Sequence, residues 1–256
     1  MLTFVQITVA GFILIILVVL FFFYIQSDKI LHRWYNLEQV GFKDEIYKVM
    51  LNLTSRAALD VPKLYLVDYP DPNAFSIIGK NSSSIILTTA AVDRLDHEEL
   101  EALMAHEMGH IINSNRPGIF FTMAAGMLTM LSTAALWGAL LTGFGQEYDP
   151  APQLIRSYAM ALVAPPAAAM IQLATPRSKE FVADAYSAEL CGAQKLIETL
   201  EYLDNYPKML DEINPAHANL FFVNPLKSNI FNSLFNTHPP INERIKRLEE
   251  AHYAGQ

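Results

Sequence analysis

The chain has 256 residues, of which 52% are hydrophobic and only 17% charged. Its formal net charge of −8 argues against nucleic acid as a partner and against a broad basic membrane-binding face. A single cysteine, Cys191, excludes an internal disulfide framework and any Cys-rich zinc module.

Leu2 to Ile25 is an almost unbroken run of Leu, Ile, Val and Phe. At about 1.5 Å per residue, such a helix crosses a hydrocarbon core of about 30 Å. No basic residues precede it, the apolar run is longer than that of a signal peptide, and no small-residue cleavage site follows. Residues 1–33 therefore read as a transmembrane anchor. Asp28, Lys29, His32 and Arg33 follow it directly, and the positive-inside rule places what comes next in the cytoplasm.

Residues 34–116 form the first part of a globular domain. From Trp34 to Leu59 the apolar positions Leu37, Val40, Ile46, Val49, Met50 and Leu53 predict a helix. Pro62 to Val67 reads as a strand, Tyr69 to Asn73 as a turn, Ala74 to Ile78 as a second strand and Ser83 to Thr89 as a third. The edge of such a sheet can take an extended peptide by backbone hydrogen bonds, or the sheet can serve only as packing for a helix.

That helix starts at Asp96, a predicted N-cap, with Glu99 where a capping box needs it. It carries His106-Glu107-Met108-Gly109-His110. Four residues turn a helix by about 400°, so His106 and His110 leave one face a turn apart. Two imidazoles at this spacing can hold one Zn²⁺, and Glu107 between them can reach a water on the metal. Gly109, a poor helix former, allows another backbone or a substrate to come close.

Residues 117–175 hold two further apolar segments, Ile119 to Gly145 and Leu154 to Ala174, joined by an acidic, Pro-containing loop over residues 146–152. With Arg116 before them and Arg177 and Lys179 after, they predict a membrane hairpin with its acidic tip outside. Arg156 and Pro165-Pro166 in the second arm leave a buried or membrane-surface hairpin as the alternative. Three crossings keep the zinc helix on the cytoplasmic side.

Residues 176–256 return to the globular domain. Pro176 to Leu190 predicts a helix with Gly192 past its end, on which Glu180 and Asp184 share a face. A carboxylate facing two His completes the His₂Glu set of a catalytic zinc, and Asp184 can accept the spare N–H of a liganding imidazole. An ordinary acidic helix face would carry the same pair. Near the end, Thr237-His238-Pro239-Pro240 breaks the chain and starts a helix with Ile241, Arg244, Ile245 and Leu248 on its first turns.

These three motifs, in this order and separated by a membrane hairpin, resemble those of HtpX-type membrane zinc proteases, gluzincins related to the CAAX prenyl endoproteases. The likeness runs from about Leu64 to Leu248. It implies a mainly α zincin-type metalloprotease domain with a small β-sheet, a transmembrane anchor and an inserted transmembrane hairpin. It implies one Zn²⁺ on His106, His110 and Glu180, with Glu107 as the general base. It also implies that His238 and Arg244 face the cleft, His238 donating to an oxyanion and Arg244 orienting substrate or a carboxylate. Asn73-Ala74-Phe75 matches the segment ahead of the substrate-binding edge strand. The expected partners are extended protein substrates, among them damaged membrane or membrane-proximal proteins, and the lipid bilayer.

Two other readings share some of these features. A membrane-anchored chaperone or binding protein could hold a structural zinc, but such a site has no need of Glu107. A CAAX-type processing enzyme shares the chemistry but encloses it with more crossings than this chain supplies.

Overall fold

The computed structural model describes residues 33, 35–78, 83–113, 177–207, 221–223 and 238–254. The anchor and hairpin expected over 1–33 and 117–175 lie almost wholly outside them. Among the described residues no helix is long and apolar enough to cross a membrane. The described elements make a helix-rich domain with a small mixed sheet.

The sheet has four strands, β1 (Glu38–Gln39), β2 (Lys63–Val67), β3 (Ala74–Ile78) and β4 (Ser83–Thr88), in the order β1-β2-β4-β3. β2 and β4 run parallel, with Leu64 opposite Ile85, while β1 and β3 pair antiparallel on the two flanks. β4 is central and both its faces are covered, which accounts for its unbroken Ile85-Ile86-Leu87 run. β3, although it precedes β4, lies at the edge of the sheet.

The N-terminal helix is shorter than its apolar spacing predicts. Residues 38–39 are strand, and α1 spans only Glu45–Ala57. The Asp44 carboxylate accepts the Gly41 N–H at 2.7 Å, closing a turn just before the helix. Val40 donates to the Leu64 carbonyl, so this stretch serves the sheet before the helix begins.

After β4 come α2 (Thr89–Arg94) and α3 (His97–Ile112). The capping box on α3 forms as its sequence predicts: Glu99 N–H donates to Asp96 Oδ1 and Asp96 N–H to Glu99 Oε2, both at 2.8 Å. Later in the chain α4 (Arg177–Cys191) and α5 (Ala193–Asn205) pack against α3, and α6 (Ile241–Ala254) packs against α4 and α5. Gly192, at φ +93°, makes the left-handed link between α4 and α5.

Two apolar clusters flank the sheet. Leu64, Ala74, Ile85 and Leu87 join the helices in the main core, and Phe75, Ile77, Ile86 and Val67 form a smaller aromatic cluster on the other face with Phe221. α3 and α4 make the most extensive helix contact, and α4 approaches α3 at Gly109. A Cβ built there would stand 2.8 Å from Ala183 Cα and 3.2 Å from its carbonyl oxygen. Ser187 on α4 also donates to the Ala102 carbonyl at 2.7 Å.

Alanine at position 109 would gain about 1 kcal/mol of helix propensity. It would also drive a methyl into backbone that cannot swing aside, at about 1–3 kcal/mol. Gly109→Ala is expected to lower the melting temperature by a few degrees, because the clash involves main chain. A variant melting at or above the wild type would mean that α4 shifts at no cost.

Candidate active site

α3 and α4 bring His106, His110 and Glu180 together across the closest point of their packing. One donor atom from each lies within 4.8 Å of the other two. His106 Nε2 is 3.7 Å from Glu180 Oε2, and His110 Nε2 is 3.4 Å from Glu180 Oε1. His106 and Glu180 are buried, and His110 is partly exposed.

The other nitrogen of His106 is engaged: Nδ1 stands 3.0 Å from Asp184 Oδ1. A carboxylate there favours the Nδ1–H tautomer and leaves the Nε2 lone pair aimed at Glu180. Asp184 is clamped in turn by Arg244, whose Nε donates at 2.8 Å and Nη2 at 2.6 Å. Arg244 Nη1 donates to the Phe222 carbonyl at 3.2 Å. The guanidinium also lies 4.7 Å above the Phe222 ring, and that ring meets the His106 ring edge-on at 4.6 Å.

Burial sets the protonation of this cluster, with charge partners correcting it. It lowers both imidazoles, His110 to about 4, so both are neutral and able to donate a lone pair to a metal. Burial also works against the charges of Glu180 and Asp184. The imidazoles of His238 and His110 nevertheless hold Glu180 well below its ordinary range, and Arg244 holds Asp184 down. Glu107 differs: burial lifts its carboxyl to about 8, against pulls from Ser76 and Arg244, and Glu180 pushes it further.

This donor set suits zinc. It offers two neutral imidazoles and an ionised carboxylate. His106 Nε2 and Glu180 Oε2 are buried and make no hydrogen bond. Glu107 also has both oxygens buried and without a well-formed hydrogen bond. It sits on α3 beside His106, inside the cluster and outside the ligand trio.

His238 lies just ahead of α6, its Nδ1 3.1 Å from Glu180 Oε2 but off the line of a hydrogen bond. Arg244 is wholly buried, with its donors turned to Asp184 and Phe222. Asn73, Ala74 and Phe75 are buried and engaged within the protein. The Asn73 amide takes the Val223 N–H and donates to the Val223 carbonyl, and Phe222 N–H donates to the Ala74 carbonyl at 2.8 Å. Phe75 bridges to Phe221. The edge of β3 at Asn73–Phe75 is thus occupied by residues 221–223.

Phe222 was not evident in the sequence as a site residue. Phe221-Phe222-Val223 is a short apolar run with no motif, and only the fold carries it to the site.

The three donors on two helices beside a small sheet could hold a metal ion. A family model described as Peptidase family M48 matches residues 42–252, and the chain belongs to that family. The chain is 39% identical over 248 residues to a "Protease HtpX homolog" of Pelotomaculum thermopropionicum, covering 93% of this chain and 87% of that one. It is 37% identical to a "Protease HtpX homolog" of Desulfatibacillum aliphaticivorans, covering 90% and 77%. With "Protease HtpX" of Legionella pneumophila the identity is 35%, covering 88% and 82%. The crystal structure of S. mikatae Ste24p shares the fold, with a TM-score of 0.51 at 17% identity. That match covers 93% of this chain but only 58% of the Ste24p chain. The protein is a protease of the M48 kind.

The raised Glu107 carboxyl has a consequence for stability. A group lifted from 4.5 to about 8 favours the protonated fold, so its contribution is complete below 4.5 and lost as pH rises towards 8. Glu107→Gln stays neutral and escapes that loss. In buffer containing a chelator, its melting temperature relative to wild type is expected to rise from about pH 5 to about pH 8. A flat difference would mean that Glu107 ionises freely in the fold.

Proposed function

We propose that this protein is a membrane-anchored zinc endopeptidase with Glu107 as general base. The observation that carries the reading is Glu107 itself, a buried carboxylate with no well-formed hydrogen bond beside two neutral imidazoles and an ionised carboxylate. Burying such a group without a partner costs stability. A purely structural metal site gives no return for that cost, whereas a proton-transfer site needs it.

His106, His110 and Glu180 would hold the zinc, which when bound polarises the scissile carbonyl and acidifies a water. Glu107 would act as the general base, taking a proton from the attacking water and passing it to the leaving amine. Asp184, fixed by Arg244, keeps His106 in the tautomer that presents Nε2. His238, just ahead of α6 and 3.1 Å from Glu180, would donate to the oxyanion.

The substrates are polypeptides in extended form, because β3 is an edge strand on the Glu107 side and backbone pairing is what an edge offers. Phe222 already holds the Ala74 carbonyl, so a substrate strand adds beyond that contact or takes its place. The anchor and hairpin read from the sequence make this a multi-pass membrane protein with its cleft on the cytoplasmic side, facing damaged membrane or membrane-proximal proteins.

Base and ligand separate experimentally. Glu107→Gln is expected to retain about one zinc per chain while casein cleavage falls by a factor of about 10² to 10⁴. Glu180→Ala should lose both zinc and activity, and chelator should abolish wild-type cleavage until zinc is restored. Full turnover by Glu107→Gln would refute its role as base.

Topology is tested by cysteine labelling in a Cys191→Ser background. A membrane-impermeant thiol reagent should modify Glu147→Cys from outside intact cells and leave Asp60→Cys untouched. Labelling of Asp60→Cys from outside would reverse the orientation and the substrate class with it.

A further inference from the structure

Residues 221–223 lie on β3 as a bound peptide lies on a sheet edge. Phe221 stands opposite Phe75 in an antiparallel bridge, and Phe222 N–H donates to the Ala74 carbonyl at 2.8 Å. The Phe222 carbonyl accepts from Arg244 Nη1 at 3.2 Å. Val223 N–H donates to Asn73 Oδ1 at 3.2 Å, and the Val223 carbonyl accepts from Asn73 Nδ2 at 2.7 Å. Every main-chain polar group of Phe222 and Val223 is therefore held by Asn73, Ala74 or Arg244. These bonds read no side chain of the segment, so the same residues can hold the backbone of another extended chain.

The segment also stands at the metal donors. The Phe222 ring meets His106 edge-on at 4.6 Å, and the Phe221 ring enters the aromatic cluster 4.9 Å from Phe75. Its hold on the sheet is nevertheless short. β3 pairs with β4 all the way from Ala74 to Ile78, whereas among the described residues the segment meets β3 in one bridge. Exchange for another extended chain with apolar side chains would remake each hydrogen bond and refill both aromatic positions. Few bonds are then lost in the exchange.

We propose that Phe221-Phe222-Val223 is an internal competitor for the substrate, seated on the free edge of β3, and that a substrate chain must displace it. The proposal rests on the reading of β3 as the edge that takes the substrate. Being part of the chain, the segment competes at the high effective concentration of an intramolecular ligand. A folded protein has no free backbone to offer in its place. An unfolded segment with adjacent aromatic or aliphatic residues does, and it supplies side chains of the kind it removes. The competitor thereby selects for unfolded apolar substrates.

A disulfide lock tests this in the full chain with zinc bound. The Ala74–Phe222 bond makes Phe75 and Phe221 a pair of the closer, non-hydrogen-bonded kind, with Cα atoms about 4.5 Å apart and within disulfide range. Phe75→Cys with Phe221→Cys, in the Cys191→Ser background, should lose casein cleavage by at least about tenfold on oxidation and regain it on reduction. Zinc content should not change. Binding is read separately, as the anisotropy of fluorescein-labelled casein on the same protein carrying Glu107→Gln. The reduced form should bind, and the locked form should not. Locked and reduced protein that bind alike, or do not bind at all, overturn the proposal. Binding that the lock blocks, in protein that cleaves nothing after reduction, would keep the competitor and sink the protease mechanism. If the cysteine pair does not fold, Phe221→Ala decides: KM should fall several-fold with kcat unchanged, and a KM at or above wild type overturns the proposal.

Discussion

The site depends on burying a charged pair without leaving either partner alone. Asp184 and Arg244 are both removed from water and joined by two short hydrogen bonds. Taking either charge out of water costs several kcal/mol, and about 3–5 kcal/mol is lost when one partner of such a pair is removed. The pair therefore restricts three elements at once. α4 carries Asp184, α6 carries Arg244, and the guanidinium reaches across to the Phe222 carbonyl. Through Phe222 N–H and the Asn73 amide the same restraint passes to the end of β3. One guanidinium thus ties helices and sheet together around His106.

Geometry within that frame comes from close helix packing. Glu180 meets His106 and His110 only because α4 comes close to α3, and it does so where Gly109 leaves no side chain in the way. The Ser187 bond to the Ala102 carbonyl fixes the register of the two helices. A motif on one helix and a carboxylate about 70 residues later become one donor set through this contact. Solvation then differentiates the carboxylates. Glu180 and Asp184 are held ionised by imidazole and guanidinium partners, while at Glu107 burial outweighs the pull of Arg244 and lifts the carboxyl towards neutrality.

The sheet does more than fill space beneath the helices. β3 lies at an edge, one face towards α3 and the other in an aromatic cluster with Phe221, Tyr35 and Tyr69. Residues 221–223 close part of that edge with backbone and amide bonds. Asn73, Ala74 and Phe75 accordingly act in the architecture, at the point where sheet, residues 221–223 and helices converge.

Local chemistry was legible in the sequence. The capping box of α3, the i, i+4 pairing of His106 and His110, the shared face of Glu180 and Asp184 and the break at Pro239-Pro240 each depend on residues close in the chain, where helix period and side-chain type suffice. The helix read from Trp34 failed at its start because its apolar spacing suits strand and helix alike over a few residues, and pairing with β2 decided the matter. Other features belong to the tertiary structure alone: the edge position of β3, Phe222 against His106 and the Arg244 clamp on Asp184. Each joins residues far apart in sequence, and burial and hydrogen-bond satisfaction act on them only once the chain has packed.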